Sequence, residues 1–130
     1  MFKKYLYLFI IFAFLVSICF WEEILVRQSL SEIDDRVSEI QTTVADKEYI
    51  NTYEILMMVE NLEENWHKSE KELCILVNHK DIEDIGMEIA RLKSTIATNQ
   101  IEDFNASLSL VIFFTETYHH VMGTSIQNLL

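Results

Sequence analysis

The feature that most constrains this chain is an uncharged apolar run near its N-terminus. Residues 5–21 read YLYLFIIFAFLVSICFW, and no charged side chain interrupts these 17 residues. As an α-helix the run reaches about 26 Å, close to the roughly 30 Å hydrocarbon core of a bilayer. Lys3 and Lys4 precede the run and Trp21 closes it, which suits the two edges of a membrane. The run therefore predicts a lipid-bilayer anchor within residues 1–21 and a separate domain over residues 22–130.

A cleaved secretory signal peptide is the alternative for the same segment. A basic start followed by an apolar run is typical of such signals, which end in a cleavage site with small residues. Here the small residues Ser17 and Cys19 are followed by the bulky Phe20 and Trp21. We therefore favour an uncleaved signal-anchor.

The distribution of charge predicts the orientation of the anchor and excludes one class of partner. Lys3, Lys4 and the terminal amine outnumber Arg27 and the more distant Arg36, so we expect a cytoplasmic N-terminus and an extracytoplasmic domain. Residues 22–130 carry 8 Lys or Arg and 21 Asp or Glu, which leaves a net charge of −13. Nucleic acid is not an expected partner, because its phosphates would repel such a domain.

The segment that follows the anchor is predicted to be a long helix. The chain has no proline and only two glycines, Gly86 and Gly123, which favours helix throughout. Apolar residues then recur at alternating spacings of four and three, as in a helix packed lengthwise on another helix. This seam comprises Val26, Leu30, Ile33, Val37, Ile40 and Val44. We expect one helix from the anchor to about Ala45, with the seam as a contact surface for a protein partner or a second copy.

Three further helices are predicted by the same periodicity. Asp46, Asp81 and Asn99 are residues that cap helix starts, the second helix is expected to run to about Val77, and Gly123 offers an end for the last helix. The predicted core stripes are Ile55, Val59, Leu62, Trp66 and Leu73; Ile82, Ile85, Ile89, Leu92 and Ile96; and Ile101, Phe104, Leu108, Val111, Thr115, Tyr118 and Met122. Short connections make neighbouring helices antiparallel, so the fold class is all-α: a transmembrane helix continuing into an up-and-down bundle of three to four helices.

Two details of these helices deviate from a simple core stripe. Tyr49, Tyr53 and Leu56 add a second apolar stripe, which core packing between two neighbours explains better than an exposed patch for a partner. Gly86 lies inside the third helix, where glycine costs about 1 kcal/mol relative to alanine unless a neighbour packs closely there.

Several segments of the chain together carry a resemblance to a known family. They are a short N-terminal span, a long helix bearing Trp66, the run NHKDIEDI, the sequence ARLK at residues 90–93, and the leucine-rich end SIQNLL. With these segments the chain resembles the bacterial domain of unknown function family 4363. The resemblance covers nearly the whole chain and is most specific over residues 66–93 and the tail. It implies a small membrane-anchored helical protein of sporulating Gram-positive bacteria, with no assigned activity.

The polar run around His79 is the strongest candidate for a metal or small-ligand site. His79, Asp81 and Glu83 fall at the predicted corner between the second and third helices, where an imidazole and carboxylates could hold a divalent ion. Nothing else in the sequence completes a metal shell. A helix start, with the carboxylates capping the first turn and favoured by the helix dipole, explains the run better.

Two Glu-x-x-His pairs suggest a different metal site. Glu64 with His67 and Glu116 with His119 have the spacing that di-iron carboxylate proteins use on facing helices of a bundle. The phase of the second helix opposes this site, because its core stripe passes through Trp66 and leaves Glu64 on the far side. We therefore expect no metal site and no cofactor.

The sequence favours an interaction protein over an enzyme. It contains no Gly-rich phosphate loop, nucleophile elbow or Cys-x-x-Cys motif. The leading hypothesis is a non-enzymatic, single-pass protein of the cell membrane whose external bundle binds another protein, as an accessory subunit of a membrane complex, or a second copy. The alternative is an extracytoplasmic ligand- or metal-sensing module that uses the loop around His79.

Overall fold

A computed structural model describes residues 1–127 of the chain and the side chains of residues 1–118 and 120. The regular structure of these residues is four α-helices: α1 Phe2–Val44, α2 Tyr53–Leu76, α3 His79–Ala97 and α4 Ile101–Gln127. They pack in a ring in which α1 and α3 each lie between α2 and α4. The predicted all-α, up-and-down bundle is confirmed, and the number of helices is four.

Helix α1 is one unbroken helix with two different halves. Its 43 residues extend about 64 Å at 1.5 Å per residue. The large apolar side chains from Phe2 to Trp21 are exposed, apart from the half-buried Ile18, whereas the six seam residues from Val26 to Val44 are buried. The predicted continuation of the apolar run into the bundle is thus confirmed.

The predicted core stripes are also confirmed. All members on α2 and α3 are buried, and so are Phe104, Leu108, Val111 and Thr115 on α4. Ile101 and Tyr118 are half-buried, while the side chain of Met122 lies outside the described residues. Ile50, Thr95 and Ser107 are buried as well, although the apolar periodicity did not include them. Periodicity therefore located the core-facing side of all four helices.

Close packing explains the glycine inside α3. A Cβ atom added at Gly86 would lie 3.0 Å from Nε1 of Trp66 on α2. Trp66 is itself 2% exposed, so its ring has little room to move away. The helix accepts the cost of glycine because this position brings α3 close to a large buried indole.

The starts of α2 and α3 differ from the sequence prediction. Helix α2 begins seven residues after Asp46, at Tyr53, and its cap is Thr52, whose Oγ1 accepts the Ile55 N–H at 3.4 Å. The chain first turns inward to bury Ile50, which delays the helix. Helix α3 begins two residues before Asp81, because Asn78 caps it by accepting the Lys80 N–H at 3.2 Å. Asp81 therefore lies in the first turn, where the helix dipole still favours its charge.

The prediction that Asn99 caps α4 is wrong. Asn99 has a φ of 53°, a left-handed conformation that asparagine tolerates better than most residues. Its N–H donates to the carbonyl of Ile96 at 3.1 Å, and the next N–H, of Gln100, donates to the carbonyl of Thr95 at 3.0 Å. This pattern ends α3 in a Schellman motif. The Asn99 side chain accepts the Ile50 N–H at 2.8 Å and so ties the two connections at this end of the bundle together.

The predicted end of the last helix at Gly123 is also wrong. Helix α4 continues through Gly123 to Gln127. A glycine is tolerated inside a helix at a cost of about 1 kcal/mol, so it marks an end only where the chain leaves the helix for other reasons.

Candidate functional site

The seam of α1 lies in the core of its own bundle. Val26, Leu30, Ile33, Val37, Ile40 and Val44 are between 0% and 3% exposed. They belong to the same cluster as the core residues of α2, α3 and α4. This placement differs from the expected contact surface for another protein, because these side chains already pack within the chain and offer no free surface to a partner.

One polar contact fixes α1 against α4. Thr115, which is fully buried, donates a hydrogen bond from Oγ1 to the carboxylate of Asp34 on α1. Its hydroxyl also lies 2.9 Å from the Ile112 carbonyl and 3.1 Å from the Val111 carbonyl, within its own helix. This direct hydrogen bond shows that Asp34 and Thr115 lie opposite each other on the two antiparallel helices.

The structure separates the three residues of the candidate site around His79. His79 and Glu83 are exposed and one turn apart on α3, whereas Asp81 lies about 200° around the helix from His79. Asp81 approaches α4, where partial burial raises the pKa of Tyr118 and the negative charge of Asp81 raises it further. Among the described residues there is no group of three or more His, Cys, Asp or Glu able to hold a metal ion.

The Glu-x-x-His pairs do not converge in the described part of the bundle. Glu64 is exposed and forms an ion pair with Lys68, at 3.0 Å between Oε1 and Nζ. His67 is exposed, with Nδ1 3.3 Å from a carboxylate oxygen of Glu70. Glu116 is exposed too, and the side chain of His119 is outside the described residues. The pair on α2 thus points away from the core, as the phase of the helix predicts.

An open groove runs between α2 and α3 beside the contact of Trp66 and Gly86. It has a volume of about 350 Å³, and its rim carries the carboxylates of Glu63, Glu70 and Glu83. Lys93 of α3 donates a hydrogen bond to Glu63 at 3.0 Å, and this hydrogen bond is the main cause of the raised pKa of Lys93. The rim is acidic, so the field in the groove favours a cation over an anion.

A second groove, which we call the junction groove, lies where the exposed half of α1 meets the bundle. It has a volume of about 340 Å³ and is formed by Trp21 and Leu25 of α1 with Ile75 and Leu76 of α2. Glu22 and Glu72 stand at its sides. Ile75 is 83% exposed and Trp21 is 68% exposed, so large apolar surface is uncovered at this junction.

The two tyrosines of the additional stripe are exposed at the opposite end of the bundle. Tyr49 is 59% exposed and Tyr53 is 77% exposed, while Leu56 is half-buried. The expectation that core packing accounts for this stripe is therefore wrong for both tyrosines. The neighbouring helices cover the face of α2 that carries Ile55 and Val59, and the tyrosines fall outside it.

Helix α4 has an apolar face on each side. Opposite its buried stripe, Ala106, Leu110, Phe113 and Thr117 recur at spacings of four, three and four, and all are exposed. Leu110 is 37% exposed and Phe113 is 59% exposed. No charged residue occurs between Asp103 and Glu116. We call these four residues the outer face of α4.

These features define a four-helix bundle carried by a helix that is long and apolar enough to cross a membrane. Residues 20–129 match the model of the family described as Domain of unknown function (DUF4363), and the chain belongs to that family. The resemblance carried by Trp66 to Lys93 is thereby confirmed. No curated protein and no solved structure matches the chain.

Sequence reasoning missed Ile75 and the outer face of α4. The outer face has a signal in the sequence, because its spacing of four, three and four is a second heptad-like stripe beside the one through Leu108. Ile75 has no such signal. Its meeting with Trp21 depends on how far α2 runs back along α1, which only the folded structure shows.

Proposed function

We propose that this protein is a non-enzymatic, single-pass membrane protein that serves as an accessory subunit of a membrane complex. Residues 5–21 cross the bilayer, the N-terminus is cytoplasmic, and the bundle lies outside the cell membrane and binds another protein. The observation that carries the proposal is the exposed apolar half of α1, from Phe2 to Trp21, continued without a break into a packed core. Such surface has a favourable environment in lipid and an unfavourable one in water.

The unbroken helix supports a positioning role. Core packing begins at Val26, five residues after Trp21, so no linker separates the span from the bundle. A bundle on a flexible linker would sample many positions above the membrane. This bundle is held at one height, which suits a subunit that meets a partner in the same membrane.

The outer face of α4 is the surface that we assign to the partner. Its spacing fits a second helix packed lengthwise, as in a coiled-coil seam. It is uncharged in a domain with a net charge of −13, so an approaching acidic protein meets least repulsion there. Helix α4 packs alongside α1. The occupant that fits this geometry is a helix of a second membrane protein standing next to α1.

Site-specific photo-crosslinking in native membranes tests this proposal. A photoreactive amino acid replaces Phe113 on the outer face, and a matched control carries it at Lys68, which is also exposed but lies on α2. We expect one discrete adduct from position 113 and none from position 68. The adduct should disappear with Leu110→Asp, since a charge in the seam opposes helix packing, while the circular dichroism spectrum stays unchanged.

The identity of the adduct distinguishes the outcomes. A different membrane protein captured at position 113, lost with Leu110→Asp, supports the proposal. An adduct of twice the mass of the chain shows that a second copy occupies the face instead. Recovery of free monomer alone from both positions in repeated trials contradicts protein binding at this surface.

A further inference from the structure

The end of the bundle nearest to residues 5–21, which we call the lower end, is level with the end of the exposed apolar run. The hydrogen bond between Asp34 and Thr115 places these two residues opposite each other on antiparallel helices. Gln127, the last residue of α4, is 12 residues beyond Thr115, and Glu22 is 12 residues before Asp34. Because both helices rise about 1.5 Å per residue, α4 reaches the level of Glu22 at Gln127.

Helix α2 reaches the same level independently. The junction groove sets Ile75 and Leu76 against Trp21, Glu22 and Leu25. Helices α2 and α4, the two neighbours of α1, therefore both reach the level at which residues 5–21 end. The bundle has no stalk, and this lower end is the surface nearest to any bilayer that the span crosses.

Ile75 is an unusual residue for a water-facing position at this level. It is 83% exposed in the last turn of α2, although Leu73, two residues earlier, is 1% exposed. Trp21, 68% exposed, is next to it across the groove. Tryptophan prefers the interface between lipid and water, where an exposed apolar side chain beside it also leaves water.

We propose that the lower end of the bundle is a second membrane contact, in which Ile75 enters the lipid interface beside Trp21. The proposal rests on the proposed membrane anchor. The junction groove is then occupied by lipid at the interface between the bilayer and water. The contact is apolar, because Ile75 and Trp21 form it. Glu22 and Glu72 at its sides would repel anionic headgroups, so the contact favours a zwitterionic lipid. A bundle fixed by both the span and this corner cannot swing about the end of the span.

Fluorescence quenching in phosphatidylcholine vesicles tests this contact with the full chain. Cys19→Ser and Cys74→Ala provide a background in which a fluorophore is attached to single cysteines at Ile75, Tyr53 or Leu15. Tyr53 is the matched control, since it is 77% exposed on the same helix and 22 residues, or about 33 Å, away from Ile75. Leu15 reports on the span. The quenchers are a lipid with a nitroxide near its headgroup and water-soluble iodide.

We expect the lipid quencher to act severalfold more strongly at position 75 than at position 53, with iodide showing the reverse order. Equal quenching at positions 75 and 53, with strong lipid quenching at position 15, overturns the second contact and leaves the anchor standing. Weak lipid quenching at position 15 as well overturns both. Protection of position 75 from lipid and iodide together shows that protein fills the groove, which also overturns the proposal.

Discussion

The two halves of α1 share one backbone but have opposite surroundings. Residues 2–21 have exposed apolar side chains on all sides, whereas in the second half a single stripe is buried, with exposed polar residues such as Ser31 and Ser38 between its members. The first half therefore has no packing partner in the part of the chain that the structure describes, and the second half has three helices that share its core. The first half is long and apolar enough to cross a membrane, whereas the second half is amphipathic and packs on other helices.

The surroundings of the second half also explain why the seam of α1 offers no free surface to a partner. A heptad-like stripe shows that a helix packs on another helix, and it is silent about whether that helix belongs to the same chain. Here α2, α3 and α4 bury the stripe. A partner has to use a surface that the four helices leave uncovered, such as the outer face of α4.

The largest expected effect is a truncation in the buried half. Ile33 is 0% exposed, so Ile33→Ala should lower the free energy of unfolding of the bundle by about 2–5 kcal/mol through lost burial and a cavity. Denaturant unfolding followed by near-ultraviolet circular dichroism measures this change. Ser31→Ala, at an exposed position two residues earlier, is the control. Vesicle binding should stay the same for both variants, and a loss of binding by Ile33→Ala would break the distinction between the halves.

A charge in the exposed half should have the reciprocal effect. Leu15→Arg places a cation near the middle of the apolar run, which costs about 2.5–3.5 kcal/mol of membrane insertion. Vesicle flotation should show a smaller bound fraction than for the control Leu15→Ile. Unfolding of the bundle should be unchanged, because Leu15 is outside its core. Unfolding of the bundle by Leu15→Arg would contradict the independence of the two halves.

A smaller effect is expected where α4 holds the buried half of α1. Thr115→Val removes the hydrogen bond to Asp34 and should lower the free energy of unfolding by about 1 kcal/mol. Thr117→Val is the control, since the Thr117 hydroxyl is exposed and donates only to the Phe113 carbonyl in its own helix. Equal effects of the two substitutions in thermal unfolding would show that the hydrogen bond between Thr115 and Asp34 does not stabilise the packing of α4 on α1.

The smallest effect is a pH dependence near the lower end of the bundle. Burial, and then the charge of Asp81, raise the pKa of Tyr118 in the folded protein. The folded state therefore favours the neutral phenol, and this contribution is complete below about pH 10 and is lost as the pH rises through the folded pKa. Between about pH 9 and pH 11, a range that brackets the ordinary pKa of tyrosine, the free energy of unfolding should fall less for Tyr118→Phe than for the wild type. Tyr53→Phe, at an exposed ring, should behave like the wild type in the same melting series.

Most of the fold can be predicted from the sequence, because buried residues recur every three or four positions along a helix. The period of the apolar residues identified the buried side of every helix, and the absence of breakers between Trp21 and Val26 predicted one continuous α1. Gly86 marked a close contact whose partner, Trp66, could not be named in advance. Local patterns carry this information, since neighbours three and four residues apart share a face.

The connections could not be predicted because their structure depends on distant residues. The link between α1 and α2 buries Ile50, whose N–H is bound by Asn99, 49 residues later in the chain. Local sequence patterns do not predict that contact. They therefore indicated Asp46 as the cap of the second helix, although the cap is Thr52. Asn99 itself fits two motifs, a helix start and a helix end, and its positive φ selects the second.

The candidate surfaces were predictable to different degrees. His79, Asp81 and Glu83 are close in sequence, but a helix directs alternate residues to opposite sides, so their separation follows from the start of α3 at His79. The junction of Ile75 with Trp21 needs the antiparallel register of α1 and α2. The sequence indicated the apolar run and the bundle, and the structure shows that they meet without a gap.

A scan of nitroxide side chains along α1, one position at a time from residue 5 to residue 44 in phosphatidylcholine vesicles, tests the central claim most directly. Accessibility to oxygen, which concentrates in lipid, is compared with accessibility to a water-soluble nickel complex. We predict high oxygen accessibility on all sides from Tyr5 to Trp21, followed by a helical period with minima at the seam from Val26 to Val44. Access of the nickel complex to residues 5–21 equal to that at Arg27, or a break in the helical period between Trp21 and Val26, would contradict an anchor continuous with the bundle.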